Sequence, residues 1–278
     1  MNKYINFYSQ QYFAFNIWSI ESAKAVMDAA SQMKCDVILQ TSMKAFEQLD
    51  KIELHTYVRS YEQKQSIKAY LHLDHCTKTG LIQEAAKCGW DSIMIDASNK
   101  PLDENIRITN EVVKMVREKG ILVEAEVGQI CGQENMLFSV NAGIAKIEDI
   151  KKFVESTDVD MLAAAVGTVH GLYKEVPDIR FDMLDQIGRL TDIPFVVHGG
   201  TGLTDGMLLK ILSYKNVKKI NISTDVKLAY RHGIEESIQE GAMEQEGFDP
   251  LRVNQLIHDA IQIMVVDKLK LLRKDLVK

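Results

Sequence analysis

The sequence is short of the features that would direct a chain to a membrane, a nucleic acid or an oxidising compartment. It has no apolar run long enough to span a bilayer. Its first residues, Met1-Asn2-Lys3-Tyr4-Ile5-Asn6, hold no apolar core of the kind that opens a secretory signal. A basic excess is missing: 33 Lys and Arg stand against 39 Asp and Glu, a net charge of −6 at pH 7. Nothing therefore points to a nucleic-acid surface. The cations are scattered, and Lys218-Lys219 and the lysines between Lys268 and Lys274 read as solvated faces. Only 4 cysteines occur, Cys35, Cys76, Cys88 and Cys131, in neither a CxxC pair nor a secreted disulfide framework. Free thiols in a reducing cytoplasm are the expectation. No GxGxxG follows the first strand, so a dinucleotide fold has no support.

What is present is ordinary for a soluble globular protein. The chain has 278 residues, of which 46% are hydrophobic and 26% charged, enough for one large α/β domain over 1–278 with a sizeable core. Short β-rich runs alternate with longer helical patterns throughout. Strands are predicted over Phe13–Ile17, Asp36–Ser42, Ile67–His75, Ser92–Ser98, Leu122–Gly128, Asp160–Gly167, Ile193–Val197 and Val217–Ser223. Helices are predicted between them, including a single weakly patterned one from Ala45 to Gln65. Pro101 and Gly120 bracket one helix as start and stop, and Asp249-Pro250 opens the last. Eight strands alternating with helices suggest a (β/α)8 barrel with an extra C-terminal helix. A doubly wound open sheet is the rival; it accounts less well for polar residues at the end of nearly every strand.

Those ends carry Asn16, Ser42, Asp74-His75, Asp96, Glu126, His170-Gly171, His198-Gly199 and Asn221-Ser223-Thr224. A barrel gathers them on one face. Asp74-His75 alone has a plain structural alternative, an acid capping the next helix with a ring packed beside it. His75, His170 and His198 at three strand ends change the balance, because three imidazoles with an open fourth position form a catalytic metal arrangement. His72 alternates with the core face of its strand, while His55, His232 and His258 lie in helical segments. Gly199-Gly200-Thr201-Gly202 and Asn221-Ile222-Ser223-Thr224 each lead from a strand into a helix, where backbone N–H groups hold anions. The aperiodic stretch from Gln129 to Ala145 has the length of a lid or binding loop.

In their order along the chain, Ala14-Phe15-Asn16-Ile17, Leu71-His72-Leu73-Asp74-His75, Ser92 to Ser98, Glu124-Ala125-Glu126-Val127-Gly128, Gly167 to Lys174, His198 to Gly202 and Asn221 to Thr224 resemble the class II, zinc-dependent ketose-bisphosphate aldolases. The resemblance covers nearly the whole chain. It implies Zn2+ held by His75, His170 and His198, with Glu126 as an alternate ligand. It implies Asp74 as the acid/base at the carbon–carbon bond, and Glu134 as the loop glutamate that moves a proton on dihydroxyacetone phosphate. Asn16, Ser42, Gly171, Lys174, Gly199, Gly200, Thr201, Asn221, Ile222, Ser223 and Thr224 match substrate contacts. A monovalent cation, Na+ or K+, beside Gly171 and Gly199, a small phosphorylated sugar as substrate and a homodimer or homotetramer are implied as well.

The chain departs from that pattern at Cys76 after Asp-His, at Thr201 where serine is usual, at Trp18-Ser19, in the Cys131-Gly132-Gln133-Glu134-Asn135 loop and at Leu251-Arg252. No departure removes a metal ligand; they bear on the distal end of the substrate and its second phosphate. A divalent metal can stabilise the carbanion left by breaking a bond next to a carbonyl, so no Schiff-base lysine is needed. One alternative is an aldolase for a dihydroxyacetone-phosphate-derived sugar lacking the second phosphate. Another is a metal-dependent hydrolase or isomerase on the same barrel, for which an HxH ligand pair is absent. A non-catalytic binding protein would show a lost ligand or base, and none is lost.

Overall fold

The computed structural model describes residues 9–130, 144–171, 173 and 177–273. Eight strands run Tyr12–Asn16 (β1), Val37–Ser42 (β2), Ala69–Cys76 (β3), Ser92–Ile95 (β4), Leu122–Val127 (β5), Met161–Ala164 (β6), Phe195–Val197 (β7) and Val217–Ile222 (β8). Each pairs in parallel with the next, and β8 pairs with β1, so the barrel is closed. Parallel neighbours need crossovers, and here helices supply them and cover the outside. They are Ile20–Met33 (α1), Met43–Gln48 (α2), Lys51–Gln65 (α3), Thr79–Lys87 (α4), Leu102–Arg117 (α5), Ile147–Ser156 (α6), Phe181–Leu190 (α7), Asp205–Leu212 (α8), Thr224–Gln239 (α9) and the C-terminal Pro250–Lys270 (α10). Among the described residues no helix is long and apolar enough to cross a membrane.

The period-two alternation of a strand divides its residues between two cores. Outward residues such as Phe13, Phe15, Leu71, Leu73, Val123, Phe195, Val197 and Ile220 pack under the helices. Inward Tyr12, Ala14, Ile38, Tyr70, Leu122, Met161, Ala163 and Val196 form a separate apolar cluster within the barrel. Followed towards the strand ends, the inward positions turn polar. Tyr70 gives way to His72 and Asp74 on β3, and Leu122 to Glu124 and Glu126 on β5; all are buried.

Two expectations need correction. The helix predicted from Ala45 to Gln65 is two helices, because Leu49-Asp50 breaks it and the Asp50 carboxylate caps the second by accepting from Glu53 N at 2.8 Å. Lys219 is not on a solvated face. It shares the inward side of β8 with Asn221, two residues on, and is fully buried, while Lys218 takes the outward side.

The helix α10 packs on α9 and α1. Its start is built locally: Asp249 Oδ1 accepts from Leu251 N and Arg252 N, and Pro250 occupies the first turn. The contact with α9 is close at Gly233, where an added Cβ would lie 2.4 Å from Ile257 Cα. Alanine in a helix interior favours folding over glycine by about 1 kcal/mol. Overpacking against backbone costs about 1–3 kcal/mol, so the clash wins. Gly233→Ala is expected to lower the unfolding temperature by several degrees; an unchanged or raised temperature in a thermal melt would contradict this packing.

Candidate active site at the barrel mouth

Asp74 and His75 are consecutive, so a regular strand would point them to opposite faces. The register of β3 against β4 shows why they are not opposed. Leu73 pairs with Ile93 and Cys76 with Ile95, so three steps on β3 match two on β4. The extra residue is a bulge. At that point His75 takes φ +46°, a left-handed conformation unusual for a residue with a side chain. The bulge lets Asp74 and His75 both serve the mouth and restores Cys76 to the outward face, where it is buried in the layer between barrel and helices. Cys76 is thus a packing residue, its thiol 3.4 Å from Lys78 O.

Three imidazoles meet at the mouth. Ring centroids lie 4.6 Å apart for His75 and His198, 4.8 Å for His75 and His170, and 5.8 Å for His170 and His198. One nitrogen from each falls within 4.8 Å of the others. Two of the rings are oriented from behind. His75 Nδ1 is 2.8 Å from Asp96 Oδ2, and His198 Nε2 is 2.8 Å from Glu124 Oε1. The remaining nitrogens, His75 Nε2 and His198 Nδ1, face each other at 2.8 Å. Asp96 is itself held, its Oδ1 accepting from Ser98 N and the Ser98 hydroxyl.

Charge at this point is strongly biased. Burial opposes the charged form of His75, but Asp74 and then the bond from Asp96 outweigh it and raise the ring well above the usual imidazole range. Burial, then the neighbouring His75 and His198, push His170 down to about 3. Glu126 is pushed up to about 7 by burial and by Asp96. Its Oε1 accepts from Ile130 N at 3.1 Å, while its Oε2 is buried with no hydrogen-bond partner, 3.9 Å from His198 Nδ1. Three imidazole nitrogens, two of them oriented by carboxylates, and an unsatisfied carboxylate oxygen beside them form a donor set that fits a divalent cation.

Asp74 is placed differently. Its Oδ2 accepts from Gln40 Nε2 and its Oδ1 from Asn221 Nδ2, each at 3.3 Å. Burial would raise its carboxyl, but His75 and Lys219 hold it below the ordinary value. Gln40 also donates to Asn16 Oδ1 at 2.5 Å, so Asn16, Asp74 and Asn221 form one tethered group. Ser42 stands opposite Asp74 in the β2–β3 register and caps α2 by accepting from Ala45 N.

The glycine segments lie beside this group. Gly199 takes φ +71°, and a Cβ there would sit 2.3 Å from Val169 O; at Gly200 it would sit 2.6 Å from Ile220. Gly171 takes φ +95° with open space where a Cβ would be. Thr201 Oγ1 accepts from Ser223 N and Asp225 N, both at 3.3 Å, and so ties the loop after β7 to the start of α9. The Tyr173 hydroxyl donates to Gly199 O at 2.7 Å. Ile222 points its side chain into the outer core, leaving its backbone to the mouth. Thr224 is the first residue of α9. Glu134 and Lys174 lie outside the described residues.

In the sequence Asp96 stands at a strand end with no role to mark it, and Gln40 and Glu124 are not among the candidate site residues. The signal was there: Glu124 stands two residues before Glu126, and Gln40 two before Ser42, hence on the same inward face.

Comparison with known proteins supplies the family and the fold relatives of the chain. The family model described as "Fructose-bisphosphate aldolase class-II" matches residues 7–275. A fructose-bisphosphate aldolase of Geobacillus stearothermophilus is 33% identical over 259 residues, covering 92% of this chain and 89% of the relative. One of Staphylococcus aureus (strain COL) is 32% identical over 261 residues, with 92% and 89% covered. Among solved structures, the YdjI aldolase of Escherichia coli K12 superposes with a TM-score of 0.80 at 27% identity, covering 99% of this chain and 95% of that one.

Removing one imidazole should break the donor set: His170→Ala is expected to lose stoichiometric divalent metal in elemental analysis, and full retention would contradict the site. A second expectation follows from His75. A ring whose folded pKa is raised is protonated near neutral pH without metal, so metal uptake must displace that proton. Affinity should fall as the pH is lowered, and calorimetry in buffers of different ionisation enthalpy should detect proton release on binding. Uptake without proton release would refute the assignment of charge to His75.

Proposed function

The chain belongs to the class-II fructose-bisphosphate aldolase family, and from that membership we propose how its residues divide the reaction. It is an aldolase, a carbon–carbon lyase that cleaves a ketose bisphosphate reversibly. The family is metal-dependent, and the chain's donor set suits one. We infer that the metal is Zn2+, held by His75, His170 and His198, with Glu126 as an alternate ligand. When bound, such an ion polarises a substrate carbonyl and offsets the negative charge that develops there.

The remaining work falls to the chain. Asp74 is the base: in the cleavage direction it takes the proton from the hydroxyl on the carbon that becomes the aldehyde. The observation that carries this reading is its tethering. Gln40 and Asn221 hold one carboxylate oxygen each, so Asp74 stays beside the imidazoles without being spent as a ligand. Its lowered pKa keeps it ionised and able to accept a proton at neutral pH. Glu134 returns a proton to the three-carbon fragment, dihydroxyacetone phosphate. Lys219, the fully buried lysine, donates to Glu124 and His72, and no Schiff base is asked of it.

We assign the phosphate of that fragment to Gly199, Gly200, Thr201 and Asn221 to Thr224, with Gly171 and Lys174 as further contacts and Asn16 and Ser42 contacting the sugar. Support comes from the N-terminus of α9, whose positive dipole end suits an anion, although Thr201 Oγ1 already takes the N–H groups of Ser223 and Asp225. A monovalent cation, Na+ or K+, beside the Gly171 and Gly199 backbone and a homodimeric or homotetrameric assembly complete the reading. For the second phosphate, the Arg252 guanidinium would first have to leave Glu240, onto which it is forked at 2.7 and 2.8 Å.

The test is a coupled assay across ketose 1-phosphates and 1,6-bisphosphates, run with and without a chelator. Cleavage that the chelator abolishes and added Zn2+ restores is expected, with the bisphosphate-to-monophosphate ratio reporting on the distal phosphate. Chelator-resistant cleavage would overturn the metal reading. Asp74→Ala is expected to keep fold and metal while losing a factor on the order of 10²–10⁴ in turnover, the usual contribution of a positioned acid or base. Near-native turnover in that variant would remove Asp74 from the reaction.

A further inference from the structure

The barrel interior behind the histidines holds a chain of polar contacts that substrate need not touch. Lys219 from β8, Glu124 from β5 and His72 from β3 are all fully buried. These strands are not neighbours in the barrel, so the three side chains meet across its interior. Lys219 Nζ is 2.7 Å from Glu124 Oε2 and 3.0 Å from His72 Nε2. His72 Nδ1 is 2.8 Å from Ser92 Oγ. The other oxygen of Glu124, Oε1, is 2.8 Å from His198 Nε2.

Donor and acceptor chemistry fixes the protons along this chain. An ammonium only donates, so His72 Nε2 must accept, and His72 carries its hydrogen on Nδ1 towards Ser92. Glu124, facing Lys219 with one oxygen, is a carboxylate acceptor with the other. His198 must therefore donate from Nε2, which leaves the lone pair on Nδ1, the nitrogen turned to His75 and the mouth. A neutral imidazole can present only one lone pair, and which nitrogen presents it is set by the bond the other makes.

We propose that Lys219 and Glu124 are positioning residues: the buried ion pair locks the His198 ring and its tautomer so that Nδ1 faces the metal. This rests on the reading of His198 as a ligand. The fold gives no separate reason for the pair. Barrel interiors are filled by branched apolar side chains, and replacing both members of a buried ion pair by neutral groups of similar volume is often neutral or stabilising. Removing one member strands the other charge, so the informative variant changes both.

The experiment uses the full chain loaded with Zn2+ and labelled with 15N-histidine. Two-bond 1H–15N spectra are expected to show His198 protonated on Nε2 and His72 on Nδ1; His198 protonated on Nδ1 overturns the proposal without any variant. The double variant Lys219→Met with Glu124→Met, which removes the acceptor facing His198 as well as the charge pair, is expected to fold, with native circular dichroism, and to hold Zn2+ more weakly by about 10- to 100-fold in chelator competition, the usual loss when the partner of a ligand is removed. It should also broaden or split the His198 ring signals. Native Zn2+ affinity with an unmoved His198 spectrum in the double variant shows that the pair only fills space and overturns the proposal. A native chain that binds no Zn2+ at its histidines refutes the metal reading instead, and the two failures are distinct.

Discussion

Closure of the barrel is the constraint on which everything else depends. Eight parallel strands joined β8 to β1 enclose a narrow interior, and each strand sends a side chain into it at every second residue. A side chain there is within reach of strands it never pairs with. The contacts of Lys219 with both His72 and Glu124, and of Asp74 with Asn221, are of this kind. Apolar inward residues fill the interior at one level. Polar ones gather towards the strand ends, where they can bond one another and where the loops bring glycine backbone close.

Within that geometry the charges act on one another. Asp74, Asp96 and Glu124 are each held below the ordinary carboxylate range by cationic or hydrogen-bonding neighbours despite burial. Glu126 goes the other way, up to about 7, because burial and Asp96 act on it, and its Oε2 has no hydrogen bond. The site carries more negative charge than its histidines and Lys219 absorb comfortably, which is the condition a bound cation relieves. A single helix terminus or loop could not supply this; it takes carboxylates from β3, β5 and the residue after β4 brought beside rings from β3 and from the segments after β6 and β7.

Much of this was legible in the chain. Alternating short apolar runs and helical patterns indicate the barrel, and polar residues at the strand ends, His75, His170 and His198 above all, indicate which end is chemical. The helix bracketed by Pro101 and Gly120 runs from Leu102 to Arg117, just inside those two breakers. Misreadings occurred where a local pattern has two meanings. Lys218-Lys219 looks like a charged surface pair, yet adjacent strand residues face opposite ways, and Lys219 is buried. Ala45 to Gln65 looks like one helix, because a cap in mid-pattern at Asp50 is a single residue among many polar ones. Cys76 has no evident purpose until the bulge beside it returns the strand to its outward face.

The sequence by itself determined the order of elements, the parity of inward and outward positions and the identity of the groups able to bind a metal or move a proton. These are local properties, set by side-chain chemistry and by the two- and 3.6-residue periods of the backbone. Only the tertiary structure decided which nitrogens of His75 and His198 face the site, that Asp74 and His75 share one side, and that Glu124 and Lys219 stand behind His198. Those outcomes depend on a one-residue register shift between β3 and β4 and on contacts spanning up to 147 positions of sequence. The shift, confined to the end of β3, turns two neighbours that a regular strand would separate into a base and a ring at one mouth.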